Sequence, residues 1–246
     1  MKKKLLILGA GNAQIDFIEY AKSIGLEVFV CSYSNTDKGI PLADAFAGIN
    51  IVDVENIERY VKEHKIDYIY SIGSDIAVPS FCKVAEHLNM FHFVSSKTAE
   101  ICCCKHLMRE ALGADDPFNL PFAVCETLDE AKSAQFYPLM IKPVDSQGQR
   151  GVFKAENSRE LSLHFDHAMS YSRCKKVILE KHVSGSEVSV NAYVKDGKII
   201  FSMLSDRESF ENLPGGIIKA HHLPSVFEGT QTHEKINALV RGAVKK

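Results

Sequence analysis

No apolar run in these 246 residues approaches the ~18 consecutive apolar residues of a membrane-spanning helix. Neither sign of charge dominates: 29 Lys and Arg stand against 31 Asp and Glu, a formal net charge of −2. The first absence argues against a membrane partner, the second against a nucleic-acid partner, whose footprint is a clustered basic face. The start, three lysines before an apolar run, superficially resembles a secretion signal. That run stops at Gly9 after about five residues, and a signal needs roughly seven to fifteen, so it reads as the first strand of a cytoplasmic protein. Cysteine pairs at C-x-x-C spacing are missing as well, leaving nothing to seed a zinc site. Seven cysteines include the run Cys102-Cys103-Cys104. Neighbours on a helix point about 100° apart and do not converge on one metal, so reduced, mostly buried thiols are the reading. Internal repeats and low-complexity segments are absent.

What is present divides near residue 95. The first part alternates strands and helices: strands over 4–11, 26–32, 45–51, 67–74 and 90–96, with helices over 12–24, 56–64 and 77–88. Strands separated by helices of that length predict a parallel sheet in a doubly wound α/β layer. The second part changes rhythm. A helix over 97–112 leads to the turn-rich "GADDPFNLP", a strand over 121–126, a helix over 127–135, a strand through "PLMIKPV" and a helix over 158–171. Strands over 175–183 and 187–204 follow, the second folded at Asp196-Gly197, a strong hairpin signal. A Pro/Gly-rich stretch (213–216) and an amphipathic helix over 231–245 close the chain. This part is α+β.

Two glycine turns compete for attention. "GAGNAQ" (9–14) joins a strand to a helix, but Gln14 stands where a dinucleotide fingerprint has its third glycine. The second strand, moreover, ends in Cys31-Ser32-Tyr33 without the acidic residue that holds a ribose. The other turn, in "LMIKPVDSQGQRGV" (139–152), is more suggestive. Alternation sets Leu139 and Ile141 on one face and Met140 and Lys142 on the other. A lysine there buries its stem and needs an anionic partner. Ser146, Gly148 and Gly151 follow in a loop whose N–H groups can form an anion nest. Downstream, "VILEKHVSGSEVSV" (177–190) offers Glu180, an extended connector with free backbone groups, and Glu187, suited to ribose hydroxyls. Lys105 sits early in a helix, available to a phosphate. For either glutamate alone, a solvated strand edge is the competing account.

Taken in order, "ADAFAGINIVDVENIERYVKEHKIDYIYSIGSD", "AEHLNMFHFVSS", "KHLMREAL", "YPLMIKPVDSQGQRGV" and "ILEKHVSGSEVSV" resemble the ATP-grasp superfamily, in its carbamoyl-phosphate-synthetase-like and biotin-carboxylase-like branch. The resemblance spans nearly the whole chain. It implies a Rossmann-like pre-ATP-grasp domain over 1–95, then an ATP-grasp domain over 96–246 with a small lid subdomain at about 115–182. It also implies that Lys105 and Lys142 hold phosphates under a lid at 145–151, with Ser146, Gly148 and Gly151 in it. Glu180 with the backbone of residues 181–183, Lys181 and Val183 included, would read adenine, and Glu187 the ribose. The Glu-x-Asn that ligates magnesium in the family occurs nowhere in the chain. The expectation is therefore an incomplete ATP-grasp domain whose magnesium ligands lie beyond residue 246.

The lesser candidates carry less. Asp75 reads as a helix N-cap before a substrate carboxylate. His221-His222 lacks a third ligand, Asp206-Arg207-Glu208 reads as a solvated cluster past the last hairpin strand, and Thr232 is a possible cap. The expected function is an ATP-dependent carboxylate–amine or carboxylate–thiol ligase using ATP and magnesium, with a small carboxylate as substrate and a homodimer as a possible assembly. A non-catalytic nucleotide-binding fragment that needs a partner chain, and an NAD(P)-dependent oxidoreductase, are the alternatives.

Overall fold

The structure, a computed structural model, describes residues 2–117, 119–210, 213 and 216–246. The chain forms two compact units, Met1–Cys103 and Cys104–Lys246.

In the first unit the elements run β1 (Lys4–Leu8), α1 (Ile15–Ser23), β2 (Glu27–Cys31), β3 (Ala45–Ala47), α2 (Val54–His64), β4 (Tyr68–Tyr70), α3 (Ala77–His87) and α4 (Ser96–Cys103). The four strands make an all-parallel sheet in the order β3-β2-β1-β4. Parallel sheets are covered on both faces, and their strands lose the inside-out alternation. Accordingly Leu5, Leu6, Ile7 and Leu8 of β1 are all buried. Leu6 and Leu8 join Phe81, Ile57 and Val84 on one face, while Leu5 and Ile7 join Ile18, Val28 and Val30 on the other. The expected α/β layer is present. Its expected last strand, 90–96, is not: no ladder forms there among the described residues, Phe91 is 74% exposed, and Phe93, 56% exposed, lays its ring against Phe81 and Tyr70 instead. Hydrophobic composition suggested a strand, but a strand needs a neighbour to pair with.

The second unit contains α5 (Lys105–Leu112), β5 (Phe122–Cys125), α6 (Leu128–Lys132), β6 (Leu139–Pro143), β7 (Phe153–Ala155), α7 (Ser158–Ser170), β8 (Val177–Lys181), β9 (Val188–Lys195), β10 (Lys198–Ser209), β11 (Ile218–His222) and α8 (Gln231–Val244). One antiparallel sheet has the order β5-β8-β6-β7, the other β11-β10-β9. Asp196 and Gly197 both take positive φ (50° and 70°) at the β9–β10 turn, as a tight hairpin of right-twisting strands requires. The core of this unit lies between the first sheet and α6 and α7, around Leu139, Ile141, Leu161, Phe165 and Leu179.

Several expectations change here. The single helix over 97–112 is two, because Cys104 is extended (φ −115°, ψ 113°). The Lys105 N–H donates to the Val144 carbonyl instead, at 2.9 Å. Of the cysteines, Cys31, Cys82 and Cys125 are buried and Cys102 and Cys174 exposed, so burial is less general than expected. Burial pushes the Cys31 thiol up to about 12 and those of Cys82 and Cys125 up to about 11. Asp75 does not cap α3, whose N-cap is Ile76 without a side-chain bond. Thr230, not Thr232, caps α8 by accepting from the His233 N–H. The Pro/Gly-rich stretch 213–216 lies partly outside the described residues. Among the described residues no helix is long and apolar enough to cross a membrane.

Candidate functional site

On β6 the burial alternates as the sequence pattern requires, with Leu139 and Ile141 fully buried and Lys142 half-buried on the opposite face. Met140 faces Glu180 across the ladder to β8, and Lys142 faces Ile178. Lys142 and Glu180 are therefore diagonal neighbours on one face of the sheet, within reach of a long side chain. The Lys142 ammonium lies 2.5 Å from Glu180 Oε2. From α5, Arg109 Nε donates to Glu180 Oε1 at 2.7 Å. Glu180 is 3% exposed, so it is a buried carboxylate held by two cations and not a solvated strand edge. Burial pushes its carboxyl up; the Lys142 charge and the bonds from Arg109 and Lys142 outweigh it, and the net shift is downward.

Lys105 opens α5 beside this pair. Its ammonium donates to the carbonyls of Pro143 (3.1 Å) and Ser146 (2.6 Å). Burial, followed by the nearby Lys142 charge, lowers its proton affinity, only partly offset by Glu180 and Asp145. The Lys142 charge thus helps to depress Lys105, while Lys142 itself is paired with the buried Glu180 carboxylate and so has a structural partner.

The loop 145–151 is anchored at its base and open at its tip. Asp145, buried, accepts from the backbone N–H groups of Arg173 and Cys174. Gly151 takes φ +71°, and a Cβ there would come within 2.9 Å of Pro143 and of Tyr171. Its glycine is thus explained by packing as well as by conformation. Gly148, at φ +66°, is exposed with nothing near a Cβ. The connector after β8 is more engaged than expected. The Lys181 N–H bonds to the Pro121 carbonyl and that of His182 to the Pro138 carbonyl, each at 2.9 Å. The Val183 N–H has no partner among the described residues, and Val183 is 64% exposed.

Glu187 immediately precedes β9, exposed, with Oε2 3.5 Å from Arg207 Nη1. Asp206-Arg207-Glu208 is not past the strand; it lies within β10 and pairs with His222, His221 and Ala220 of β11. Both carboxylates there are tied down. Asp206 accepts from Ser225 and the Val226 N–H, and Glu208 from Lys219 and His222. These bonds hold both carboxyls below the usual range. His221 Nδ1 sits 3.1 Å from the buried Ser205 hydroxyl. Gly148 and Gln149 line an open cleft of about 700 Å³ together with Asn191, Ser205, Arg207 and His221. Among the described residues no group of three His, Cys, Asp or Glu side chains is gathered to hold a metal ion.

Arg109 and Asp145 were missed in the sequence, and Arg207 was named only within a cluster read as solvated. Arg109 carried a signal, since it follows Lys105 by four residues and shares its helix face. The setting of Arg207 was not legible, because it depends on a strand, β11, that composition did not announce.

Compared with known proteins, residues 119–209 match the family model of the D-ala D-ala ligase C-terminus. A formate-dependent phosphoribosylglycinamide formyltransferase of Prochlorococcus marinus (strain MIT 9515) is 25% identical over 193 residues, 75% of this chain and 48% of that protein. Among solved structures, a phosphoribosylglycinamide synthetase from Anaerococcus prevotii superposes with a TM-score of 0.67 at 23% identity, over 100% of this chain and 61% of that one. An N5-carboxyaminoimidazole synthetase from Staphylococcus aureus complexed with ADP gives 0.72 at 17% identity, over 100% and 64%. The chain thus spans about half the length of that curated relative and under two thirds of those two structures.

Proposed function

We propose that the chain, whose residues 119–209 match the D-ala D-ala ligase C-terminus model, is an ATP-grasp protein and carries the nucleotide-binding part of an ATP-dependent carboxylate–amine or carboxylate–thiol ligase. The observation that carries this reading is the buried Glu180 carboxylate joined to Lys142 and Arg109, with Lys105 beside it. A site with three cations and one buried anion keeps positive charge in reserve. A polyphosphate entering it finds Lys105 and Lys142 available while Arg109 retains Glu180. The N–H of Val183, without a partner among the described residues, and the open tip at Gly148 suit the edge of a base and a phosphate chain. These features fit ATP.

In the reaction, a carboxylate oxygen attacks the γ-phosphorus and the bond to the departing ADP oxygen breaks. The acyl phosphate is then attacked by an amine or thiolate, and phosphate leaves with the bonding electrons. Lys105 and Lys142 would orient the phosphates and offset the charge that develops as phosphoryl is transferred. The 145–151 loop would exclude water, and Glu187 would accept from the ribose hydroxyls, giving up its loose contact with Arg207. Magnesium is a different matter: the described residues do not gather a metal-binding set, and no step is assigned to it.

ATP with magnesium should protect the chain from heat unfolding, and NADH should not. Protection by NADH instead would transfer the chain to the oxidoreductase reading.

A further inference from the structure

The cleft facing the glycine loop has an uneven lining. Arg207, His221, Asn191 and Ser189 are polar; Met203, Ile217, Ile218 and Leu223 are apolar. Ile218 and Leu223 are 41% and 55% exposed. Register places Arg207 opposite His221, with Ser205 two residues away on the same face of β10. Arg207 Nε is buried without a hydrogen-bond partner among the described residues, and its only ion pair there is the 3.5 Å approach to exposed Glu187. A half-buried guanidinium with a donor unused, beside uncovered aliphatic groups, is an incomplete arrangement: the donor wants an acceptor and the apolar wall wants cover.

A single guanidinium fork matches the two oxygens of a carboxylate. A phosphate ester carries a second charge, and among the described residues Arg207 is the one permanent cation lining the cleft. Resting on the ligase reading, we propose that this cleft seats the acceptor, a carboxylate bearing an apolar substituent, and that Arg207 binds its carboxylate. His221, fixed through Nδ1 by Ser205, turns its other ring nitrogen away from that hydroxyl. Because Glu187 is the competing partner of Arg207, nucleotide that engages Glu187 frees the guanidinium for the acceptor.

The test is calorimetric titration of the 246-residue chain, with and without a non-hydrolysable ATP analogue. Three probes serve: isovalerate (a tailed carboxylate), formate (a tailless one) and ribose 5-phosphate. Isovalerate should bind at least ~10-fold more tightly than the other two, as one or two buried aliphatic groups would give, and more tightly when the analogue is present. Arg207→Ala should weaken isovalerate by about 10- to 100-fold, the scale of a lost charge-assisted pair. Arg207→Lys should fall between, and Ile218→Ser should weaken isovalerate while leaving formate unchanged. Formate or ribose 5-phosphate binding as well as isovalerate overturns the assignment. So do an Arg207→Ala chain with unchanged isovalerate affinity, no isovalerate binding while the analogue binds, and competition between isovalerate and the analogue. Failure of the analogue itself to bind removes the ligase reading, and the acceptor assignment with it.

Discussion

Two glycine turns follow two strands in this chain, and only one is open. In the first, Gln14 folds back so that its Oε1 accepts from the Gly11 N–H at 2.9 Å, and its Nε2 donates to the Ile72 carbonyl. Gly9, at φ +104°, would place a Cβ 3.2 Å from that same side chain. The turn is closed by the chain's own amide. In the second, Gly148 faces open space, and the side chains around the loop's base are Lys105, Lys142 and Glu180. A glycine turn therefore says that backbone must bend; the residues that face it decide whether a ligand is wanted.

The largest expected effect breaks the second turn's support. Glu180→Ala would leave Lys142 and Arg109 half-buried around a missing anion. Removing one partner of a buried charge network costs about 3–5 kcal/mol, read as a shift of the denaturant midpoint at constant slope. A loss below ~1 kcal/mol would mean the network is solvated and the contrast with the first turn overstated. Acid should act in the same direction. Glu180 is depressed below its ordinary 4.5, so its contribution is present above that value and lost as pH falls through the lower folded value.

Lys142→Ala comes next and tests ligand binding. It should weaken ATP by about 2–3 kcal/mol, the range of a charge-assisted bond, measured by titration. Stability should fall by only ~1 kcal/mol, since Arg109 still holds Glu180. Lys105 adds a pH signature. Its proton affinity is lowered from 10.5, and an anion beside it would restore it. ATP binding should therefore take up protons on the alkaline side, and affinity should fall as pH rises through the depressed value, before 10.5 is reached. Titrations in buffers of differing ionisation enthalpy would show it; no proton uptake at alkaline pH would take Lys105 out of the site.

Much of this was legible and the rest was not, for physical reasons. β6 and β8 announced themselves because alternation or dense burial is written locally, and Lys142 and Glu180 stood out as charges on those patterns. Asp196-Gly197 marked its hairpin because few residue pairs tolerate two positive φ values. Ionic partners were invisible. That Glu180 meets Lys142 depends on the β6–β8 register, and that Glu187 meets Arg207 depends on the β9–β10 register. The strand expected at 90–96 failed for the same reason, since pairing is a property of two segments. The break at Cys104 belongs with these: a helical composition yields to one long-range bond, from the Lys105 N–H to the Val144 carbonyl.

The smallest effect sharpens the comparison from the other side. Gln14 is 5% exposed and serves two backbone groups, the Gly11 N–H and the Ile72 carbonyl. Gln14→Ala strips both of partners, at a cost of about 1–2 kcal/mol if water replaces one of them. The altered turn should still ignore nucleotide, because the strand before it ends in Ile7-Leu8 and not on a lysine. Exposed N–H groups alone bind phosphate weakly without a cation nearby. Titration of ATP into the Gln14→Ala chain should therefore give the same affinity and a single site, lost together with Lys142. A second site appearing on removal of the glutamine would show that the amide plug, and not the missing lysine, distinguishes the two turns.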